Sequence, residues 1–356
     1  MPPSPFPIID SHIHLYPASE LPTLAWCPPG HPLHAQHSLD EYALATGTLP
    51  PSLRGFIFVE TDRRSAPSPD PADWALPLQE ISWISRVAAG RPLPGEGHAA
   101  AHARLCLGIV PWAPLPAGAG VLERYVALAR EAAGGDDVWA RVRGFRFLAQ
   151  DKPAGTMLGE GFVEGMRWLG ERGWAFELGV DMHRGGVGQL DEAVEMLGRV
   201  YEGVERGEDR VVVVIDHLCK PDIREDDEAT TALDTWTTRI TQLAAFPTTF
   251  MKLSGSFSEL PQAQPTDHPA SARAVAATLR PWFATALAAF GASRIMFGSD
   301  WPVCNLRGGG NDYAWGNWRA VVEELLEMCG VEEGDKREIW AGTAARAYRL
   351  HVEGVQ

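Results

Sequence analysis

Residues 7–17 read PIIDSHIHLYP and place an acid and two histidines, Asp10, His12 and His14, at intervals of two. Side chains at i and i+2 of a β-strand point the same way, so a strand here puts all three on one face. An inward-facing His-x-His pair is a compact start to a site for zinc or another borderline divalent ion, which lowers the pKa of a bound water and polarises a carbonyl. Alone, the pair is weak evidence, because ordinary strands also carry polar residues. Four later segments strengthen it. The same alternation aligns Glu177, Gly179, Asp181 and His183; Val213, Ile215 and His217; Lys252 and Ser254; and Met296, Gly298 and Asp300. His12, His14, His183, His217 and Asp300 are therefore expected to meet in one pocket.

Such a meeting requires a fold that carries many strand ends to one rim. Eight apolar runs supply the strands: FPIIDSHIH (6–14), RGFIFVE (54–60), RLCLGIVP (104–111), VRGFRFL (142–148), WAFELGVDMH (174–183), RVVVVIDH (210–217), TTFMKLSG (248–255) and SRIMFGSD (293–300). Stretches with helical spacing lie between them, such as GVLERYVALAREAA (120–133), GQLDEAVEMLGRVYEGV (188–204) and ARAVAATLRPWFATALAAF (272–290). Near-continuous apolar strands alternating with helices predict an α/β fold of the (β/α)8 TIM-barrel type, whose chemistry sits at the carboxyl ends of the strands. An open doubly wound sheet is the rival, but no glycine-rich phosphate loop follows any of these strands. No linker divides the chain, so residues 1–356 are read as a single domain. Two long Pro-rich connections, at about 17–50 and 62–101, are expected as insertions, the first as a lid over the barrel mouth. KREIWAGTAARAYRL (336–350) reads as a terminal helix closing against the barrel.

The formal charge of −15, from 31 basic and 46 acidic residues, argues against nucleic acid or an anionic membrane as partner and leaves a small-molecule substrate. Five widely spaced cysteines without a CxxC pair fit reduced thiols in the cytoplasm. The start MPPSPFP has no signal-peptide pattern, and no apolar stretch approaches a membrane span. Oligomeric state is written in no motif, and a homo-oligomer stays open.

DSHIHLYP, GFRFL, DMH, VVIDHLCKPDI, FMKLSGSFSEL and IMFGSDWPV together resemble the amidohydrolase-related family of metal-type TIM barrels, in particular its branch of sugar-lactone and 2-pyrone-4,6-dicarboxylate lactonases. The resemblance runs from residue 6 to about 350. It implies a hydrolase that opens a small lactone, of a sugar acid or a related carboxylated acid, by water attack on the ring carbonyl. It assigns Asp300 as general base, with His217 and His183 as further catalytic residues, and His12, His14, His183 and Asp300 as ligands of one divalent ion, Zn²⁺ or none. The family's binuclear members bridge two ions with a carboxylated lysine on strand four; VRGFRFLAQ offers only arginines there, which argues against two metals. Arg146, Lys220 and Lys252 are implied substrate contacts, and Trp26 and Trp301 could stack on a sugar face. His31, His34 and His37 of the lid are expected to be solvated. The rivals are a metal-dependent decarboxylase of an aromatic or unsaturated acid on the same scaffold, which DHLCKP disfavours, and a non-catalytic binding barrel, which would lack rim residues.

Overall fold

The computed structural model describes residues 5–224, 226, 228–260 and 269–355. The Val-, Ile- and Phe-rich runs form eight parallel strands: β1 (Ile8–Ile13), β2 (Leu53–Val59), β3 (Cys106–Val110), β4 (Gly144–Arg146), β5 (Ala175–Leu178), β6 (Val212–Ile215), β7 (Thr249–Leu253) and β8 (Ile295–Phe297). Strands β1 to β3 pair in chain order, as do β4 to β8. Parallel bridges Ile109–Val142 and Trp112–Arg146 join the two sheets at one seam, and Ile13–Trp301 joins them at the other. Backbone hydrogen bonds close that second seam, His14 N to Trp301 O at 2.7 Å and Asp300 N to His12 O at 2.9 Å. The eight strands thus follow one another around a ring, as a (β/α)8 barrel requires.

Each strand is followed by a helix. These are α1 (Leu39–Ala45), α2 (Ala75–Ala89), α3 (Ala119–Ala133), α4 (Glu160–Glu171), α5 (Gly188–Tyr201), α6 (Ala229–Ala244), α7 (Pro269–Phe290) and α8 (Ala314–Met328), with the short α9 (Thr343–Ala347) last. Their apolar stripes bury against the outer face of the ring, where Phe58, Ile109, Phe145, Phe176, Val213, Met251 and Phe297 belong to the larger core. The inner face carries a smaller cluster of Ile9, Val59, Val110, Val214, Phe250 and Met296, packed against Ala344, Tyr348 and Leu350 of the C-terminal segment. Among the described residues no helix is long and apolar enough to cross a membrane.

Residues 17–50 hold a 3₁₀ turn (Ala18–Thr23) and α1, whose N-terminus carries a capping box from Ser38 and Glu41. This segment is bolted to the chain after β2. Buried Arg63 ion-pairs with Glu20, places Nε 3.0 Å from Glu80 of α2 and donates to Thr23 Oγ1 at 3.1 Å. Ala25 N donates to Asp62 O at 3.0 Å and Trp26 Nε1 to Thr61 O at 2.8 Å.

Strand β1 departs from simple alternation. Asp10 pairs with Phe56 and Ile13 with Phe58, so three steps on β1 oppose two on β2, a bulge. Ile9 and His12 both face the barrel interior as a result, and Asp10 points out to the helices. There it accepts hydrogen bonds from Tyr42 of α1 at 2.9 Å, Trp315 of α8 at 2.9 Å and Ser299 N at 2.7 Å. Asp10 therefore does not share a face with His12 and His14.

Candidate functional site

The carboxyl end of β1 and the turn after β8 bring three donor atoms together. His12 Nε2 lies 3.1 Å from His14 Nε2, and Asp300 Oδ1 lies 3.8 Å from the first and 3.5 Å from the second. His14 Nδ1 faces the carbonyl oxygens of Val59 and Glu60 at 3.0 and 2.9 Å. Carbonyls only accept, so Nδ1 carries a proton, and the tautomer this selects is the one with its lone pair at Nε2. That lone pair meets a carboxylate oxygen and a second imidazole nitrogen, all three buried. A cation between them would satisfy this donor set, and two imidazoles with one carboxylate suit a borderline divalent ion.

His217 stands on the other side of Asp300, its Nε2 3.8 Å from Oδ1. Burial lowers the His217 imidazole to about 4, against the pull of Asp300 and Asp216, so the ring is neutral at pH 7. Burial alone would raise Asp300; His217, His14 and His12 together hold it below the usual carboxylate range. His217 does not reach the rim by strand alternation. On β6 it is Val214 that faces inward, while Val213 and Ile215 face the helices. His217, Leu218, Cys219 and Lys220 then all adopt left-handed backbone, φ 54°, 53°, 61° and 46°, which swings the imidazole into the pocket. Each such residue costs on the order of 1 kcal/mol or more. Hydrogen bonds hold the run: Trp236 Nε1 to Leu218 O at 2.8 Å and His183 N to Lys220 O at 3.0 Å. Ser254 Oγ, 2.8 Å from His217 Nδ1, orients the ring.

A charged layer lies beneath these groups. Lys252 of β7 is fully buried, with Nζ 2.6 Å from Glu177 Oε2, 2.9 Å from His12 Nδ1 and 3.4 Å from Asp216 Oδ1. Asp216 lies 3.2 Å from His12 Nδ1 and 3.7 Å from Arg146 Nε. Burial opposes its ionisation, yet His12 and Lys252 keep its carboxyl well below the usual range. Above this layer opens a cavity of about 220 Å³, lined by His14, His217 and Asp300 together with Glu60, Arg146 and Lys220. Trp26, His31 and Asp62 also line it, and Leu148, Val303 and Leu306 give it an apolar edge.

The Amidohydrolase family model matches residues 9–350. The chain belongs to the amidohydrolase family. It is 32% identical over 352 residues to an L-rhamnono-gamma-lactonase of Scheffersomyces stipitis, covering 98% of this chain and 100% of that one. With an L-fucono-1,5-lactonase of Burkholderia multivorans it shares 31% identity over 213 residues, 59% of this chain and 64% of the other. A zinc-bound amidohydrolase from Burkholderia multivorans superposes with a TM-score of 0.67 at 26% identity, over 97% of this chain and 100% of that one.

In this amidohydrolase several expected contacts lie elsewhere. His183 is not in the group formed by His12, His14, His217 and Asp300, nor among the cavity-lining residues. The helical turn Met182–Gly185 after β5 carries it away, with Nδ1 2.6 Å from Glu259 and Nε2 3.8 Å from Asp222. Trp301 is fully buried outside the cavity, its indole N–H donating to Asn311 at 2.9 Å and its ring packed edge-on against His37 and Tyr42. Lys252 sits under the site instead of facing a ligand. Arg146 and Lys220 do line the cavity; Lys220 Nζ donates to Gln150 Oε1 at 2.6 Å. Of the lid histidines, His31 lines the cavity, His34 Nδ1 donates to Cys27 O at 2.8 Å, and His37 is buried. Asp216 and Glu60 were missed by sequence reasoning. Asp216 precedes His217 and alternation assigned it to the outer face; Glu60 closes RGFIFVE as a polar residue at a strand end, the signal used elsewhere.

Proposed function

We propose that this amidohydrolase opens a small sugar-acid lactone by attack of water on the ring carbonyl. The full-length relation to a lactonase supports the substrate class, and the observation that carries the chemistry is the Asp300 carboxylate, ionised and turned toward three imidazoles at the edge of the cavity. Asp300 Oδ1 faces the histidines, and the carboxylate takes a proton from water as the water oxygen bonds to the carbonyl carbon. The carbonyl electrons move onto oxygen, where His217 and the Arg146 guanidinium supply positive or hydrogen-bonding character. Collapse breaks the bond to the ring oxygen, which recovers the proton from Asp300 and leaves as the hydroxyl of the product acid. Lys220 and Glu60 are placed to bind substrate hydroxyls, and Trp26 offers ring surface on the lid side. His12, His14 and Asp300 would hold one divalent ion, best matched by Zn²⁺, whose chemistry when bound is to polarise the carbonyl and acidify water.

One catalytic domain over residues 1–356, with 17–50 as its lid, is part of this reading. So is a cytoplasmic setting, since all five cysteines are free. The test is a pH-indicator assay of L-rhamnono- and L-fucono-lactones, with and without chelator, on protein of measured metal content. Acid release from a lactone supports the proposal; carbon dioxide release from an aromatic acid, with every lactone left intact, replaces it with a decarboxylase.

A further inference from the structure

A second cavity, of about 490 Å³, adjoins the one at Asp300. The chain just past three successive strands builds it, with Arg64 and Ser65 after β2, Trp112 after β3 and Phe147 after β4. Trp26, Asp62, Leu148 and Asp151 line both cavities and so form the sill between them. Asp151 is exposed and Trp26 and Asp62 are half-buried, so the sill reaches the surface and a ligand can lie across it without a tunnel. Asp62 sits there on left-handed backbone, φ 51°, held by Ala25 N on its carbonyl at 3.0 Å. The indole N–H of Trp26 is anchored on Thr61 O, which fixes its ring beside both spaces.

The charges around the second cavity balance. Asp62 and Asp151 face it with Arg64 and Lys152, and among the described residues none of the four is in an ion pair. Arg63, also in its wall, is paired with Glu20 and Glu80. A ligand with net charge of either sign would meet like charge here, whereas hydroxyls donate to the carboxylates and accept from the cations. Trp26, Trp112 and Phe147 add aromatic surface among these polar groups, the mixture that suits a sugar ring. The space exceeds the about 220 Å³ at Asp300 and is more than the exocyclic carbons of a single-ring lactone need.

We propose that the second cavity is a subsite for a further sugar ring, so that lactones of disaccharide acids are the preferred substrates, with Asp62 accepting hydroxyls at the junction. This rests on the lactonase reading above.

The test compares glucono-1,5-lactone with the lactones of cellobionic, maltobionic and melibionic acids, which carry a second ring on that same unit. At least one two-ring lactone should show kcat/KM about tenfold above the single ring, the worth of one or two net hydrogen bonds. Ser65 is exposed and lines only the second cavity, so Ser65→Trp should remove this advantage and leave single-ring rates unchanged. Asp62→Gly removes the carboxylate at a φ that glycine accepts, and should cost the two-ring lactones about tenfold more than the single ring. No advantage for any two-ring lactone overturns the subsite while opening of single-ring lactones leaves the lactonase reading standing. An advantage that survives in folded Ser65→Trp puts the second ring elsewhere and overturns it too. If none of these lactones is opened, calorimetric binding of the four acids decides. A two-ring acid held about tenfold tighter than gluconate, in wild type but not in Ser65→Trp, supports the subsite; equal binding overturns it.

Discussion

Glu60 holds its carboxyl oxygen Oε1 3.6 Å from Arg146 Nε, the two groups forming one wall of the cavity with neither atom in a hydrogen bond. Burial pushes the Glu60 carboxyl up to about 8, with Arg146 opposing the shift and Asp62 and Glu80 adding to it. The folded protein therefore binds a proton that the unfolded chain, at an ordinary 4.5, has lost by neutral pH. Stability from this group is complete below the unfolded value and falls as pH rises through the folded one. Thermal midpoints measured from about pH 5 to about pH 9 should decline, and Glu60→Gln should flatten the decline across that window.

Asp300→Asn removes the proton acceptor and keeps the volume. The expected loss in kcat is about 10²- to 10⁴-fold, with KM changed far less and the circular dichroism spectrum retained. Near-normal turnover would remove Asp300 from the mechanism.

Gly255 has φ +67°, and a Cβ there would meet the His217 ring at 2.6 Å. Gly255→Ala must displace that imidazole or the turn after β7. Activity should fall at least about tenfold, with stability lowered by roughly 1–3 kcal/mol. Steady-state kinetics beside a denaturant titration check both parts.

Chelator treatment should abolish lactone opening, and added Zn²⁺ should restore it. The bound ion should also raise unfolding free energy, by about 2.7 kcal/mol at a hundredfold excess over its Kd. Activity that survives on metal-free protein, verified by elemental analysis, would show that the imidazoles work without an ion.

Arg63→Met breaks a buried link between Glu20 of the 17–50 segment and Glu80 of α2. Leaving two buried acids without their cation should cost about 3–5 kcal/mol and expose residues 18–36 to protease. Limited proteolysis against the parent protein reads this directly.

The barrel was legible because its cause is local: eight runs of Val, Ile and Phe, each followed by a helix-spaced stretch, admit few arrangements. Strand period also carried His12 and His14 to one rim; Asp300 joins them from beyond the end of β8, on left-handed backbone at φ 60°. It failed where the backbone leaves regular geometry. The bulge in β1 turned Asp10 outward, and the left-handed run at His217–Lys220 inverted the expected faces of β6, hiding Asp216 and reaching His217 by another route. His183 was extrapolated past the end of β5 into a helical turn, where period two no longer applies. Trp301 lies just beyond Asp300, and nothing in its spacing could show that it would turn back toward α1.

The Arg63 bolt bears on how molecules get in and out. A segment pinned by buried ion pairs has no cheap detached state, so the Trp26 and His31 side chains it lends to the cavity stay in place as molecules come and go. Turnover indifferent to the friction of loop motion is the kinetic character such anchoring favours.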